Sequence, residues 1–316
     1  MKRTAHSGIA LITAILVVAI AAIASAAILA SANIAIRRTA NLQESEVAWW
    51  YANGVEAWVK TILERDLDDN QIDSFQDVWA MPVDYLPVDE GFARGQVIDL
   101  QGRYNLNNLA GGDTPQALQA QVDLFVRLLT YNEITDETQA RALAAAIRDW
   151  IDADAEPTGF DGAEDTEYLG IDPPYRVANR FMSSVSELLA VKGMSREIYV
   201  KLRELVAAVP QTGVPINVNT APVPVLRALA AQPGMKLDLF AQERIEKPAE
   251  TVAELFNTRG VFAAQDADPS MMSVTSSFFA LRSEVFIGSG RVALYSFYFR
   301  PPQGRPAIFG RSTDVE

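Results

Sequence analysis

Between Ile9 and Ile36 the chain reads IALITAILVVAIAAIASAAILASANIAI, 28 residues without a charged side chain. Spanning a hydrocarbon core of roughly 30 Å takes about 20 apolar residues, and this run extends to about 42 Å as a helix. It can cross a bilayer with residues to spare. Lys2 and Arg3 precede it and Arg37 and Arg38 follow, so the basic flanks balance and do not by themselves fix orientation. Two ordinary readings are open: a secretory signal peptide cut at Ala24-Ser25-Ala26 or Ala30-Ser31-Ala32, or a permanent anchor.

The apolar pattern does not stop at the double arginine. Ala48, Tyr51, Val55, Trp58, Val59 and Ile62 recur at steps of three and four, the signature of one helix face. Gly54 weakens that helix, and Asp66-Leu-Asp-Asp-Asn70 ends it with good turn chemistry. The expectation is a single helix over 9–66, about 87 Å long at 1.5 Å per residue. A third reading of the start fits this spine. The short leader ends in Ser7-Gly8 and the apolar run begins at Ile9, which resembles the class III signal of type IV pilin-like proteins. That resemblance implies cleavage between Gly8 and Ile9 by prepilin peptidase, with the helix kept on the mature, N-methylated chain.

One position departs from the pilin pattern. Pilin-like subunits usually carry a glutamate five residues into the mature chain, where it can pair with a neighbour's terminal ammonium; here that place is Thr13. A carboxylate inside a membrane is costly unless paired. In lacking it, and in its size, the chain resembles the K-type minor pseudopilins of type II secretion systems (GspK, XcpX).

Strand-like segments lie far apart. Gly95–Leu100 and Arg103–Leu106 form one group, and Ser277–Ile287 and Arg291–Phe299 the other, the last two joined by the hairpin signal Gly288-Ser-Gly290. The stretch between reads as helix. Leu118, Val122, Phe125, Val126 and Leu129 make one apolar stripe after Thr114-Pro115, and Leu143, Ile147, Trp150 and Ile151 another. A third runs from Ile198 through Leu202 and Leu205 to Val209, and Val225, Leu226 and Leu229 form a shorter one. These patterns make the chain α+β with a large all-helical insertion between its strands, and the resemblance to the K-type pseudopilins implies that the long amino-terminal helix lies on a small antiparallel sheet. The expected division is a leader over 1–8, a spine over 9–66, a first head segment over 67–112, the insertion over 113–270 and carboxyl-terminal strands over 271–316.

Composition narrows the function. There are 27 basic and 40 acidic residues, a net charge of −13, no cysteine, and one histidine, His6. No disulfide, thiolate nucleophile or Cys-type zinc site can form. Cleavage after Gly8 would also remove the histidine, leaving no Ser-His-Asp or His-metal mechanism. A membrane-anchored hydrolase working through a carboxylate pair is the enzyme alternative, although nothing in the sequence marks a pair. Ser186–Met194 and Ile216–Leu226 look like halves of helix-hairpin-helix modules, which hold nucleic-acid phosphates on backbone amides. A glycine closing a short helix is ordinary capping, however, and a chain this acidic does not suit DNA.

The acid is concentrated. Asp149, Asp152, Asp154, Glu156, Asp161, Glu164, Asp165 and Glu167 pack eight carboxylates into residues 149–167 with no Lys or Arg among them. Such charges repel by about 1 kcal/mol per pair at 4 Å even with water-like screening. The segment is therefore either a loose, solvated loop or one organised by a cation, and calcium accepts this oxygen-rich set. Trp150, Ile151 and Tyr168 would anchor it to a core, and Gly159 and Gly162 permit tight turns. It is not an EF-hand, because Pro157 stands where that loop needs glycine. The best ligands are Asp152, Asp154, Glu164 and Asp165, with Asp149, Glu156, Asp161 and Glu167 behind them, for one or two calcium ions. A weaker candidate uses Asp66, Asp68, Asn70 and Asp77.

The strings DWIDAD and GAEDTEY and the string INVNTA are similar to segments of the same K-type family, the first two to its calcium-binding stretch and the last to its SAM-like helical modules. The resemblance implies a non-enzymatic subunit at the tip of the pseudopilus, initiating assembly and supporting export of folded proteins across the outer membrane. It implies a single-pass protein of the bacterial inner membrane with its head in the periplasm. Its partners would be the I-, J- and H-type minor pseudopilins and the major pseudopilin, with no nucleic acid. Thr13 would favour the tip.

Overall fold

A computed structural model describes residues 7–69, 71–112 and 114–313. The first element, α1, is one unbroken helix over Ser7–Asp69, about 95 Å long. Residues 1–6, most of the expected leader, and Asn70 of the weaker acidic candidate lie outside the described residues. Gly54 does not interrupt α1, because neighbouring residues are good helix formers and one face is held by tertiary packing.

That face docks on a five-stranded antiparallel sheet in the order β1 (Val83–Val88), β2 (Gly91–Asp99), β3 (Phe278–Ile287), β4 (Gly290–Phe299), β5 (Ala307–Ser312). Ala48 and Ala52 are fully buried against Ala93, Val285 and Leu294, since small side chains let the helix axis approach the sheet. Further along, Val59 and Leu63 pack with Trp79, Phe279, Leu281 and Tyr298. Glu56 lies under the sheet, accepting from Ser296 at 2.6 Å and from Arg311 at 2.6 and 2.7 Å. The hairpin at Gly288 is confirmed, with Ile287 paired to Gly290 and Gly288 at φ 53°. Two edge strands, β1 and β5, were not legible in the sequence, because β1 holds Pro87 and β5 is six residues with Gly310 inside.

Among the described residues, all other α-helices lie between β2 and β3. They are α2 (Pro115–Tyr131), α3 (Glu137–Ile151), α4 (Asp165–Tyr168), α5 (Arg196–Leu202), α6 (Val223–Leu229), α7 (Met235–Glu243) and α8 (Val252–Asn257). Their shared core holds Phe125, Leu129, Leu143, Ile147, Trp150, Ile198, Leu202, Val225 and Leu226, the stripes read from the sequence. Two expectations shift. Tyr104, Leu106 and Leu109 were assigned to the head but are buried in this helical core, so packing draws the boundary near Leu100 and not at 112. The stripe from Ile198 to Val209 is not one helix: α5 ends at Leu202, and Val206–Ala207 pairs in parallel with Tyr104–Asn105.

The insertion has a defined place on the head. The β3–β4 turn touches the membrane-proximal part of α1, where Ser289 donates to Glu44 from its amide at 2.7 Å and from its hydroxyl at 2.6 Å. The opposite strand ends meet the far end of α1, where Arg300 donates to Asp66 at 2.8 Å. Chain enters the insertion at Asp99 and returns at Phe278, both at that far end. The helical domain crowns the head.

Candidate metal centre and the joint beneath it

The acidic segment begins where α3 stops. Trp150 and Ile151 are buried, and Trp150 meets the Tyr168 ring edge-on at 5.3 Å. Tyr168 stacks on Tyr175 and accepts from the Lys192 amide at 3.2 Å. These aromatic contacts fix both ends of the loop, as the interleaved bulky residues suggested.

The structure sorts the eight carboxylates. Asp152, Asp154 and Glu164 each bring an oxygen within 4.8 Å of the others. Asp152 Oδ1 and Glu164 Oε1 are buried without a hydrogen-bond partner. Burial, together with the charges of Asp149, Asp152, Asp154 and Asp165, pushes the Glu164 carboxyl up to about 7. Burial and the charges of Asp154 and Asp149 push Asp152 up to about 6, with Arg148 opposing from 3.8 Å. Orphaned, mutually repelling carboxylate oxygens are what a bound divalent cation relieves, so the donor set fits calcium.

The remaining five are turned elsewhere. Asp149 is fully buried, and its oxygens accept from the Thr158 amide at 3.0 and 3.1 Å and the Ala163 amide at 2.6 Å. It shapes the loop from inside, and a side chain at Gly162 would collide with it. Asp165 accepts from the Val177 amide at 3.1 Å, so one of the four preferred ligands is engaged in closing the loop. Glu167 pairs with Lys192 at 3.4 Å. Glu156 and Asp161 are exposed and outside the three-carboxylate group.

The weaker acidic candidate resolves differently. Asp66 and Asp77 do meet, but the third carboxylate is Asp73, which the sequence reading missed, and Asp68 is exposed. Arg300 fills the place of a metal, reaching Asp73 with both oxygens at 2.5–2.6 Å, Asp66, and the Ser276 carbonyl at 2.8 Å. Asp73 and Arg300 are 227 residues apart, so no local signal could have joined them.

Beside this ion pair lies the joint between head and insertion. Asp99, wholly buried, accepts from Asn217 at 3.0 Å, from Thr220 and Ser276 at 2.6 Å each, and from the Gln101 amide at 2.8 Å. Asn217 also donates to the Asp73 carbonyl at 3.1 Å. Asn219 closes a two-way bond with Ala249, donating to its carbonyl and accepting its amide. INVNTA therefore supplies the amide and hydroxyl donors that satisfy a buried carboxylate from β2. Its polar residues look inward, away from any phosphate backbone.

Comparisons with known proteins agree with this architecture. A family profile described as type II secretion system (T2SS), protein K, matches residues 102–211. Type II secretion system protein K of Aeromonas hydrophila is 33% identical, aligned over 97% of this chain and 96% of its own. The chain belongs to the type II secretion system protein K family. The protein K of Pseudomonas aeruginosa is likewise 33% identical over 98% of this chain and 93% of its own. Among solved structures, GspK in the GspK-GspI-GspJ complex of enterotoxigenic Escherichia coli superposes with a TM-score of 0.77 at 28% identity, covering 88% of this chain and all of that one. The protein K fold, α+β with a long amino-terminal helix, a small antiparallel sheet and a helical insertion, is thus the fold of this chain, and its role is that of a minor pseudopilin in type II secretion. It is a structural component of the secretion machinery, and α1 is long and apolar enough to anchor it by a single pass.

Proposed function

We propose that the protein is the terminal subunit of the pseudopilus, held by α1 in the inner membrane with its head in the periplasm, where it assembles with the I- and J-type minor pseudopilins and initiates the fibre. The observation that carries this reading is the position of the insertion on the membrane-distal end of the head. In a fibre of parallel spines, the next subunit is added from the membrane side, and a domain crowning the far end leaves no room for a neighbour above. Thr13 agrees with an end position. Its hydroxyl donates to the Ala10 carbonyl at 3.0 Å within its own helix, so it offers no charge to a neighbour's ammonium. Prepilin peptidase would release the chain between Gly8 and Ile9 and methylate it, and export of folded proteins would follow from the growing fibre.

Calcium is part of the proposal. Asp152, Asp154 and Glu164 would hold it, with Asp165 completing the shell and Asp149 shaping the loop. Calcium would supply the positive charge that lets the segment between α3 and α4 stay folded. The protein would act as a building block, with no catalytic step.

A strain lacking the gene, complemented with the full chain, tests the placement: secretion and pseudopilus assembly return with the wild type. They fail when residues 100–277 are replaced by a short linker that keeps the sheet and α1, provided the shortened head remains folded by circular dichroism. Full secretion with the folded, shortened head would refute the terminal role.

A further inference from the structure

The insertion joins the head through two neighbouring strand ends. β2 leaves the sheet at Asp99 and β3 re-enters it at Phe278, and Asp99 is paired with Phe279, so the two connections lie about 5 Å apart. Two points so close define a hinge axis. A domain held by them alone would swing, since relative motion is the default for domains without a large apolar interface. The bonds of Asp99 to Asn217 and Thr220 lie at the hinge itself. The two sides of the sheet hold the insertion differently. On the face away from α1, Ala207, Val209 and Val214 pack with Phe278 and Ala280 as a small apolar core. On the α1 side the contact comes from the connection 71–77, which carries the chain away from the end of the spine. Asp73 ties its middle to Arg300 and to the Ser276 amide. Beyond that tie, two residues reach the insertion. The Phe75 ring lies 5.8 Å from the buried guanidinium of Arg244. Gln76 Nε2 donates to the carbonyls of Ile245 at 3.1 Å and Glu246 at 2.8 Å, just past the end of α7. Arg244 in turn donates to the carbonyls of Val218 and Ala221 within INVNTA.

We infer that Phe75 and Gln76 form a strap that fixes the tilt of the insertion on the spine, so that the direction of α1 is passed to the crown. The inference goes beyond the terminal role by naming what holds the crown in line. Three observations carry it. Phe75 is 45% exposed and belongs to no apolar cluster of the described residues, so burial of its own surface does not account for its place. The partners of Gln76 lie 169 and 170 residues further on, in the insertion, so its bonds stabilise no local turn. Finally, the strap sits opposite the apolar core across the hinge, where a contact has most leverage on the tilt. Its hydrogen bonds are exposed and can break and re-form without unfolding either domain. When they break, the apolar contact stays and the insertion tips away from α1.

The chain has no cysteine, so Thr61→Cys on α1 and Gln116→Cys on α2, both exposed positions, carry a unique pair of spin labels. Pulsed electron paramagnetic resonance on the full chain in detergent then reads the distance between spine and insertion. With Gln76 in place the distribution should be narrow. Gln76→Glu sets a carboxylate against two carbonyl oxygens and should widen the distribution about twofold. Gln76→Lys restores a donor, which is favoured near a helix carboxyl end, and should return the original width. Both changes should leave the melting temperature where it was, because the site is exposed. Secretion by the complemented strain should be lost with Gln76→Glu and regained with Gln76→Lys. The inference is overturned by equal widths with Gln76 and with Gln76→Glu, by a Gln76→Lys chain as broad as Gln76→Glu, or by a widening that appears only with a lowered melting temperature. Full secretion by a chain whose distribution has widened overturns it too. Should Gln76→Glu fail to fold, Phe75→Ala, which removes only the ring over Arg244, is read in the same way. A subunit lying inside the fibre instead of at its end would show the same distances, so this reading and the terminal one fail separately.

Discussion

Two triads of carboxylates behave oppositely. In the first, Asp66 and Asp73 bind the Arg300 guanidinium that the chain itself provides, with Asp77 beside them. Around the loop after α3, Asp152, Asp154 and Glu164 face one another with two oxygens unpartnered, and Arg148 approaches Asp152 at 3.8 Å. The first triad is paired twice with its arginine, whereas among the described residues the ion pair of the second is the longer one from Arg148 to Asp152. Buried like charges need compensation, so the difference sets an internal ion pair against a centre that, on the calcium proposal, would depend on solution metal.

The largest expected effect comes from removing the internal cation. Arg300→Met leaves buried carboxylates unpaired and should cost about 3–5 kcal/mol. A denaturation curve should show the loss equally in EDTA and in calcium, and recovery in calcium would mean that the two triads are alike after all. Next comes the metal itself. Calcium at about 100 times its dissociation constant should raise wild-type stability by about 2.7 kcal/mol over EDTA, and Glu164→Gln should abolish most of that gain without lowering stability in EDTA. Equal melting temperatures of the wild type in EDTA and in millimolar calcium would sink the calcium proposal.

A smaller effect distinguishes shaping from ligation inside the loop. Asp149→Ala removes the acceptor of two backbone amides, about 1–3 kcal/mol, and should lower the melting temperature with and without calcium. A loss confined to calcium would make Asp149 a ligand instead. The smallest effect is on pH. Burial lifts Asp73 to about 7 against the pull of Arg300 and with the push of Asp99. Its folded value exceeds its unfolded one, so its contribution is complete below about pH 4 and is lost as pH rises toward 7. Between pH 6 and 7 the wild type should lose at most about 1.4 kcal/mol from this proton, and Asp73→Asn should show a flatter stability profile over that unit.

The parts of the fold legible in the sequence are those whose signal is local. The spine was visible because apolar residues recur along one helix from Ile9 to Ile62, and the main hairpin because Gly288 and Gly290 bracket a tight turn. The centre after α3 was visible as charge density, and Trp150 and Tyr168 as its anchors. The division of labour among its acids was not. Asp149 and Asp152 differ in sequence by three positions and in space by which one a backbone amide reaches. Likewise INVNTA could be matched to a family but not explained, since the carboxylate it satisfies, Asp99, comes from a strand 118 residues earlier than Asn217.

By itself the sequence determined a membrane-length helix continuing into a head, an inserted helical domain, and an acidic segment so dense in charge that it is either a loose loop or one organised by a cation. Those follow from periodicity, composition and Coulomb repulsion, which act between neighbours along the chain. Only the tertiary structure decided which end of the head the insertion crowns, which triad is filled by Arg300, and which face of α1 is left open around Gly54. The first two depend on groups far apart in sequence meeting in a buried, low-dielectric setting, where a single donor or its absence changes the chemistry of the site, and the third on which face of α1 the sheet covers.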